Sequence, residues 1–232
     1  RVAEVEEANQ DLIAFARGSN LDHLAALYAV ERLEITPANP ATGAASVMET
    51  DDELRRRVLL APHSFSVAGP EMAYVYHAIS ASGDVLDASA TSPEPGQVVV
   101  SVLSRTGDGT APPETLAAVE AVLLDDQVRP LTDWVSVQSA DVQPFDVVAQ
   151  LWLYSGPDPD LILNTALASL NTYLATARRL GRDVPRSAII AALHVAGVQR
   201  VELAEPAADQ AYTMLQAGHC ADIDVTIGGT WD

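Results

Sequence analysis

Apolar positions recur along the chain with two periods, and the switches between them mark out its elements. Val2, Val5, Leu12 and Ala16 fall at helical spacing, and after Gly18, which offers a C-cap, Leu21, Leu24, Leu27 and Tyr28 line one side of a second helix. This predicts an N-terminal helical hairpin over residues 1–35. Two short helices bury little surface on their own, so the apolar side, with Leu12, Leu24 and Leu27, is expected to be completed by another chain. Thr36 to Gly43 contains Pro37, Pro40 and a glycine without any period, so residues 36–48 read as a linker or extended arm. Thr50 and Glu53 then form a capping-box pair that opens a helix through Leu54 and Val58, closed by Pro62. Gly69-Pro70-Glu71 starts another, with Met72, Val75 and Ile79 inward and an end at Gly83.

Strand patterns follow. Val85 to Ala90 and Gln97 to Leu103, joined by Ser92-Pro93-Glu94-Pro95-Gly96, read as an antiparallel hairpin. A helix over Pro113 to Leu124 precedes two strands, Trp134 to Gln138 and Phe145 to Tyr154. Asp158 and Pro159 start a long helix that runs to Leu180 and stops at Gly181, and a short helix follows Pro185 and ends at Gly197. Val198 to Leu203 and Asp222 to Ile227 are the last strands. Strands that arrive in adjacent pairs between helices predict an α+β chain with helices packed on antiparallel-rich mixed sheets. The expected pieces are a central α+β domain over 49–130 and a C-terminal one over 131–232. Gly83, Val85, Ala88 and Ala90 are echoed by Gly197, Val198, Val201 and Leu203, which is consistent with two similar α/β subdomains.

Charge narrows the partners. Thirteen basic residues, all arginine, stand against 32 acidic ones, for a formal net charge of -19. Such a field repels phosphate backbones and anionic head groups, so neither nucleic acid nor a membrane surface is expected as a partner. Arginine forks suit bidentate carboxylate contacts, as at protein interfaces. No apolar run approaches the roughly 20 residues that span a bilayer, and RVAEVEEANQ is too acidic for a signal-peptide start. The sequence opens on Arg1 and is read as beginning inside a longer polypeptide. A lone Cys220 permits no internal disulfide and no CxxC pair, which suits a reducing compartment.

Candidate chemistry is sparse. His219 and Cys220 are sequence neighbours whose side chains diverge, so they read as a loop pair rather than a thiolate–imidazole couple. His77 and His194 lie near expected helix C-termini, where the dipole favours an imidazolium cap, and His23 and His63 have less company. Thr50-Asp51-Asp52-Glu53 is read as capping, and Gly107-Asp108-Gly109-Thr110 as a tight turn without the remaining positions of a calcium loop. Phosphate loops, nucleophile elbows and metal-ligand spacings are absent, so no catalytic residue, cofactor or metal is expected. Arg178, Arg179, Arg182 and Arg186 form the one dense basic stretch; a solvated helix end and an acid-binding protein interface both account for it, ahead of DNA.

The segment Leu180-Gly181-Arg182-Asp183-Val184-Pro185-Arg186-Ser187, continuing through Ala192 to Val201, resembles the C-terminal pattern of baseplate J-like proteins. Glu49 to Arg57, Ser64 to Pro70, His77 to Ala81, Ser92-Pro93, Gly107 to Thr110 and Val128 to Asp133 resemble the family's central region in order and spacing, and Leu21-Asp22-His23-Leu24-Ala25 its lead-in. The likeness covers most of residues 18 to 204 and leaves 205 to 220 unmatched. It implies a non-catalytic wedge subunit of a contractile phage or tailocin baseplate, made in the host cytoplasm and resident in the virion tail. The implied partners are further copies of itself and a second wedge protein in a sixfold assembly, with the central hub and sheath nearby. The alternatives are a non-viral scaffold or adaptor, and an enzyme with an unrecognised site.

Overall fold

A computed structural model describes residues 12–66, 70–156 and 158–231, with residue 231 described by its backbone alone. Val2 and Val5 of the first expected helix, and the glycine of Gly69-Pro70-Glu71, lie outside the described residues. Among the described residues there are six α-helices and eight strands in an α+β arrangement. The helices are α1 (Gly18–Ala26), α2 (Asp51–Leu60), α3 (Glu71–Ala81), α4 (Pro113–Leu123), α5 (Pro159–Ala177) and α6 (Arg186–Leu193). The strands are β1 (Glu34–Thr36), β2 (Val47–Met48), β3 (Val85–Thr91), β4 (Gln97–Ser104), β5 (Trp134–Ser139), β6 (Asp141–Tyr154), β7 (Val198–Glu205) and β8 (Gln216–Trp231). The chain divides into two compact units, residues 1–106 with 111–139 and residues 107–110 with 140–232.

In the first unit α2 opens on the expected capping box. The Thr50 hydroxyl accepts from the Glu53 N–H at 3.3 Å, and the Glu53 carboxylate accepts from the Thr50 N–H at 2.9 Å. A 3-10 turn over Ala61–Phe65, with Pro62 in it, ends the helix. Leu54 and Val58 project into a small cluster with Ala16, Leu21, Ala25 and Val30, so α1 is packed by this chain's own α2. Gly18 does not close a helix: it is the first residue of α1, at φ +51°, with its N–H on Asp51. Leu27 lies past the end of α1 and is exposed, because the inward stripe runs through Leu21 and Ala25.

β3 and β4 form the expected antiparallel hairpin, and β5 adds to β4 in parallel. Tyr74, Val75, Ala78 and Ile79 of α3 and Val119 and Leu123 of α4 pack on this sheet with Val100 and Val102. Met72, expected inward, is partly exposed, since it sits in the first helical turn at the margin of the stripe centred on Tyr74 and Ala78. His77 lies within α3 with its ring edge-on to Tyr76. Burial holds its pKa below the usual imidazole value, the reverse of a dipole-stabilised imidazolium.

The second unit is built on β6, which runs antiparallel to β7 on one side and parallel to β8 on the other. Phe145, Val147, Ala149, Leu151 and Leu153 alternate inward along β6 and meet Ile162, Ala166 and Leu170 of α5 and Ile189 and Leu193 of α6. Asp158 caps α5 through the Asp160 N–H, and Pro159 takes the first position. The helix ends at Ala177 and not at Leu180, because Arg178 leaves helical geometry at ψ 79°. Gly181 then turns at φ +66° to donate its N–H to Gln216 at the start of β8. β8 starts at Gln216, six residues before the alternation that marked it, so His219 and Cys220 belong to a strand. Each three-stranded sheet therefore has a central strand with one parallel and one antiparallel neighbour, yet β7 and β8 do not pair with each other as β3 and β4 do.

Candidate assembly interface

Two regions concentrate the residues that the sequence singles out. In the first, the N-terminal segment is held by arginines. Arg55 of α2 donates to the carbonyls of Ile13 and Ala16 at 2.8 and 2.7 Å. Arg32 donates to Asp22 and Asp51 and, at 2.7 Å, to the Glu49 carbonyl. Arg57 forms a buried ion pair with Glu49, whose carboxylate also accepts from the Leu33 N–H. Burial disfavours the Arg32 charge, but the bonds to Asp22 and Asp51 outweigh it and raise its pKa, while the same guanidinium lowers that of Asp51.

These contacts fix the base of the β1–β2 hairpin, whose residues 36–48 are exposed. Leu12, Phe15 and Leu27 are exposed on the same N-terminal segment at 52, 54 and 79%. Leu24, named with them from its spacing, is partly buried against the N-terminal cluster with Ile13 and Tyr28. Phe15 escaped the sequence reading because it falls off the helical repeat of its neighbours: residues 12–16 make a turn in which the Ala16 N–H reaches the Leu12 carbonyl. The clamp escaped it too. Three acids followed by Arg55-Arg56-Arg57 were visible, but their partners at Ile13, Asp87 and Glu49 lie up to 42 residues away.

The second region is the arginine stretch. Arg186, at the start of α6, donates to the carbonyls of Leu203 and Pro206 and so ties the end of β7 to the helix. Arg182 is exposed and donates to the Thr176 carbonyl at 3.0 Å, and Arg178 donates to the Gly107 carbonyl at 2.7 Å. Arg179 is partly buried at the same turn. The stretch is thus not one surface patch: Arg186 is spent inside the fold, Arg178 and Arg179 are half-buried, and Arg182 is exposed.

Beside Arg178 lies a cleft of about 210 Å³ lined by Phe145, Leu174, His219, Cys220 and Ile223 among others. Burial, with Asp146 and Asp222 nearby, pushes the Cys220 thiol up to about 11, so it is protonated and a poor nucleophile at neutral pH. Among the described residues no group of three or more His, Cys, Asp or Glu could hold a metal ion, and no helix is long and apolar enough to cross a membrane.

Comparison with known proteins matches residues 3–39 to the Baseplate J-like N-terminal domain, 66–139 to the Baseplate J-like central domain and 145–226 to the Baseplate J-like protein C-terminal domain. The chain is 45% identical over 227 residues to "Baseplate protein J" of Escherichia phage P2, covering 97% of this chain and 75% of that protein. Among solved structures it is similar to a chain of the anti-feeding prophage baseplate, 6-fold symmetrised by cryo-EM, at a TM-score of 0.48 and 14% identity. That alignment covers 75% of this chain and spans 43% of the length of the other.

Proposed function

Because the chain belongs to the baseplate J-like family, we infer that it is a structural component of a contractile-tail baseplate, resident in the virion tail and assembling there with other baseplate proteins. The observation that carries this reading is the 45% identity to phage P2 baseplate protein J across 97% of the chain. In the finer reading, copies of the chain join a second wedge protein in a sixfold ring around the hub and beneath the sheath. No residue is catalytic. The protonated Cys220 thiol and the use of arginines as internal clamps support a role carried by contacts and not by chemistry.

The exposed Leu12, Phe15 and Leu27 support the N-terminal segment as a surface that a partner covers, since its inner side is already filled by α2. Arg182 supports a carboxylate contact across an interface, as the exposed member of its stretch. The test is a protein inventory of purified tails together with complementation by variants. The wild-type chain is expected in baseplates. A chain with Leu12→Ser, Phe15→Ser and Leu27→Ser is expected to fold and to be excluded from them. Purified, functional tails that lack the chain altogether would overturn the reading.

A further inference from the structure

Three features far apart in the sequence meet at one place in the second unit. The Gly107-Asp108-Gly109-Thr110 turn lies against the end of α5, where the Gly107 carbonyl accepts from Arg178. The Asp108 carboxyl is held below its usual range chiefly by bonds from Thr110, and His219 on β8 lies close enough to add to that lowering. Between α5 and β8 opens the 210 Å³ cleft, with Arg178 and His219 in its lining and Phe145, Leu174 and Ile223 as its apolar part.

Arg178 differs from four arginines of the first unit. Arg32, Arg56, Arg57 and Arg105 each hold a carboxylate in direct ion-pair contact. Arg178 bonds one carbonyl through Nη2, and its Nε is shielded from water with no hydrogen-bond partner among the described residues. Burial lowers its pKa, with only the more distant Asp108 opposing this. Asp108 itself accepts from the Thr110 N–H at 2.9 Å. A partly desolvated guanidinium that no carboxylate contacts directly among the described residues is stabilised by one, which returns Coulomb energy that burial removed.

The size of the cleft selects the ligand. Sites for small molecules usually enclose about 300 to 1,000 Å³; this cleft falls below that range and has room for one or two side chains. Its charge selects further, because one arginine and one histidine, with Asp108 near them and Asp146 and Asp222 near Cys220, suit a single negative charge placed at Arg178 and not a phosphate dianion. We propose that the cleft between α5 and β8 is a docking site for a protein segment that presents an Asp or Glu beside an apolar side chain, the carboxylate on Arg178 and the apolar group over Phe145, Leu174 and Ile223. The segment belongs to a neighbouring baseplate protein, and to that extent the proposal rests on the reading of the chain as a baseplate component.

The purified chain should be titrated with N-acetyl-aspartyl-leucinamide while the His219 ring and Cys220 amide resonances are followed by NMR. Saturable shifts at high-micromolar to millimolar concentration are expected, and N-acetyl-asparaginyl-leucinamide should bind at least tenfold more weakly. Arg178→Gln should remove the preference for the aspartyl compound, and Arg200→Gln, at an exposed residue of β7 outside the cleft lining, should keep it. Absence of saturable binding, or equal binding of the two compounds to the wild-type chain, overturns the proposal, and both results are read without any variant. Because the titration uses the isolated chain, its failure leaves the baseplate assignment standing. Absence of the chain from purified tails would remove that assignment and leave the binding result intact.

Discussion

At the scale of single residues, the buried Glu49–Arg57 pair is the most exposed to damage by substitution. Both side chains are at most 8% accessible, and Arg57 also donates to the Glu31 carbonyl and Ser80 hydroxyl. Removing one partner strands a charge where water cannot reach it, so Glu49→Ala is expected to cost about 3 to 5 kcal/mol. Replacing both by apolar residues, Glu49→Leu with Arg57→Met, is expected to cost less than the sum of the single changes. Urea unfolding of the four proteins in a double-mutant cycle measures this, and strict additivity would argue against a coupled pair. Cys220 makes a second residue-scale prediction. With its pKa pushed up to about 11, native alkylation by iodoacetamide should be slow at pH 7, rise steadily towards pH 10 and jump on unfolding at any pH. A native rate at pH 7 equal to that of an unfolded thiol would contradict the raised pKa.

At the scale of elements, Asp84 joins three of them: it sits just before β3 and accepts from the hydroxyls of Ser104 on β4, Thr106 beyond it and Thr115 in α4. Burial raises its pKa, but these bonds outweigh it and hold the carboxyl below its usual range. A carboxyl depressed in the folded state stabilises above its unfolded pKa, near 4, and that contribution is lost as pH falls through the lower folded value. Asp84→Asn should therefore be less stable than wild type at pH 7, with the gap in urea midpoint closing on acidification below pH 4. A gap independent of pH would assign the effect to lost packing.

Thr50→Ala should cost about 1 kcal/mol through the cap of α2. That cap, the β3–β4 hairpin and the Asp158–Pro159 start of α5 were legible in the sequence because each is a local signal, carried by residues within a few positions of one another. The early end of α5 and the first six residues of β8 were not. The first six residues of β8 depend on the parallel pairing of β6 with β8, which brings Asp141 beside Gln216 and leaves no mark in the periodicity of Gln216 to Ala221, and the early end of α5 goes with Arg178 leaving helical geometry. The cleft was illegible because its parts are far apart: its arginine and histidine and the glycine turn that accepts from that arginine are each plain in the sequence, but 71 residues separate Gly107 from Arg178.

At the scale of the whole chain, the two compact units enclose separate sets of buried side chains, and the boundary between them follows contacts and not sequence order, since residues 107–110 belong with 140–232. The first unit buries Leu123 from α4 against its sheet, and the second buries Leu170 from α5 against β6. Each is fully shielded, so truncation to alanine leaves a cavity costing about 2 to 5 kcal/mol in whichever unit holds it. If the units open independently, Leu170→Ala should accelerate amide exchange in β6, β7 and β8 while β3 and β4 keep their protection, and Leu123→Ala should give the converse. Hydrogen exchange read by mass spectrometry, with peptides spanning 85–104 and 141–154, resolves the two patterns. Equal acceleration of both peptides by either substitution would mean that the chain opens as one cooperative body, in which case a contact on either unit would be transmitted to the other as stability.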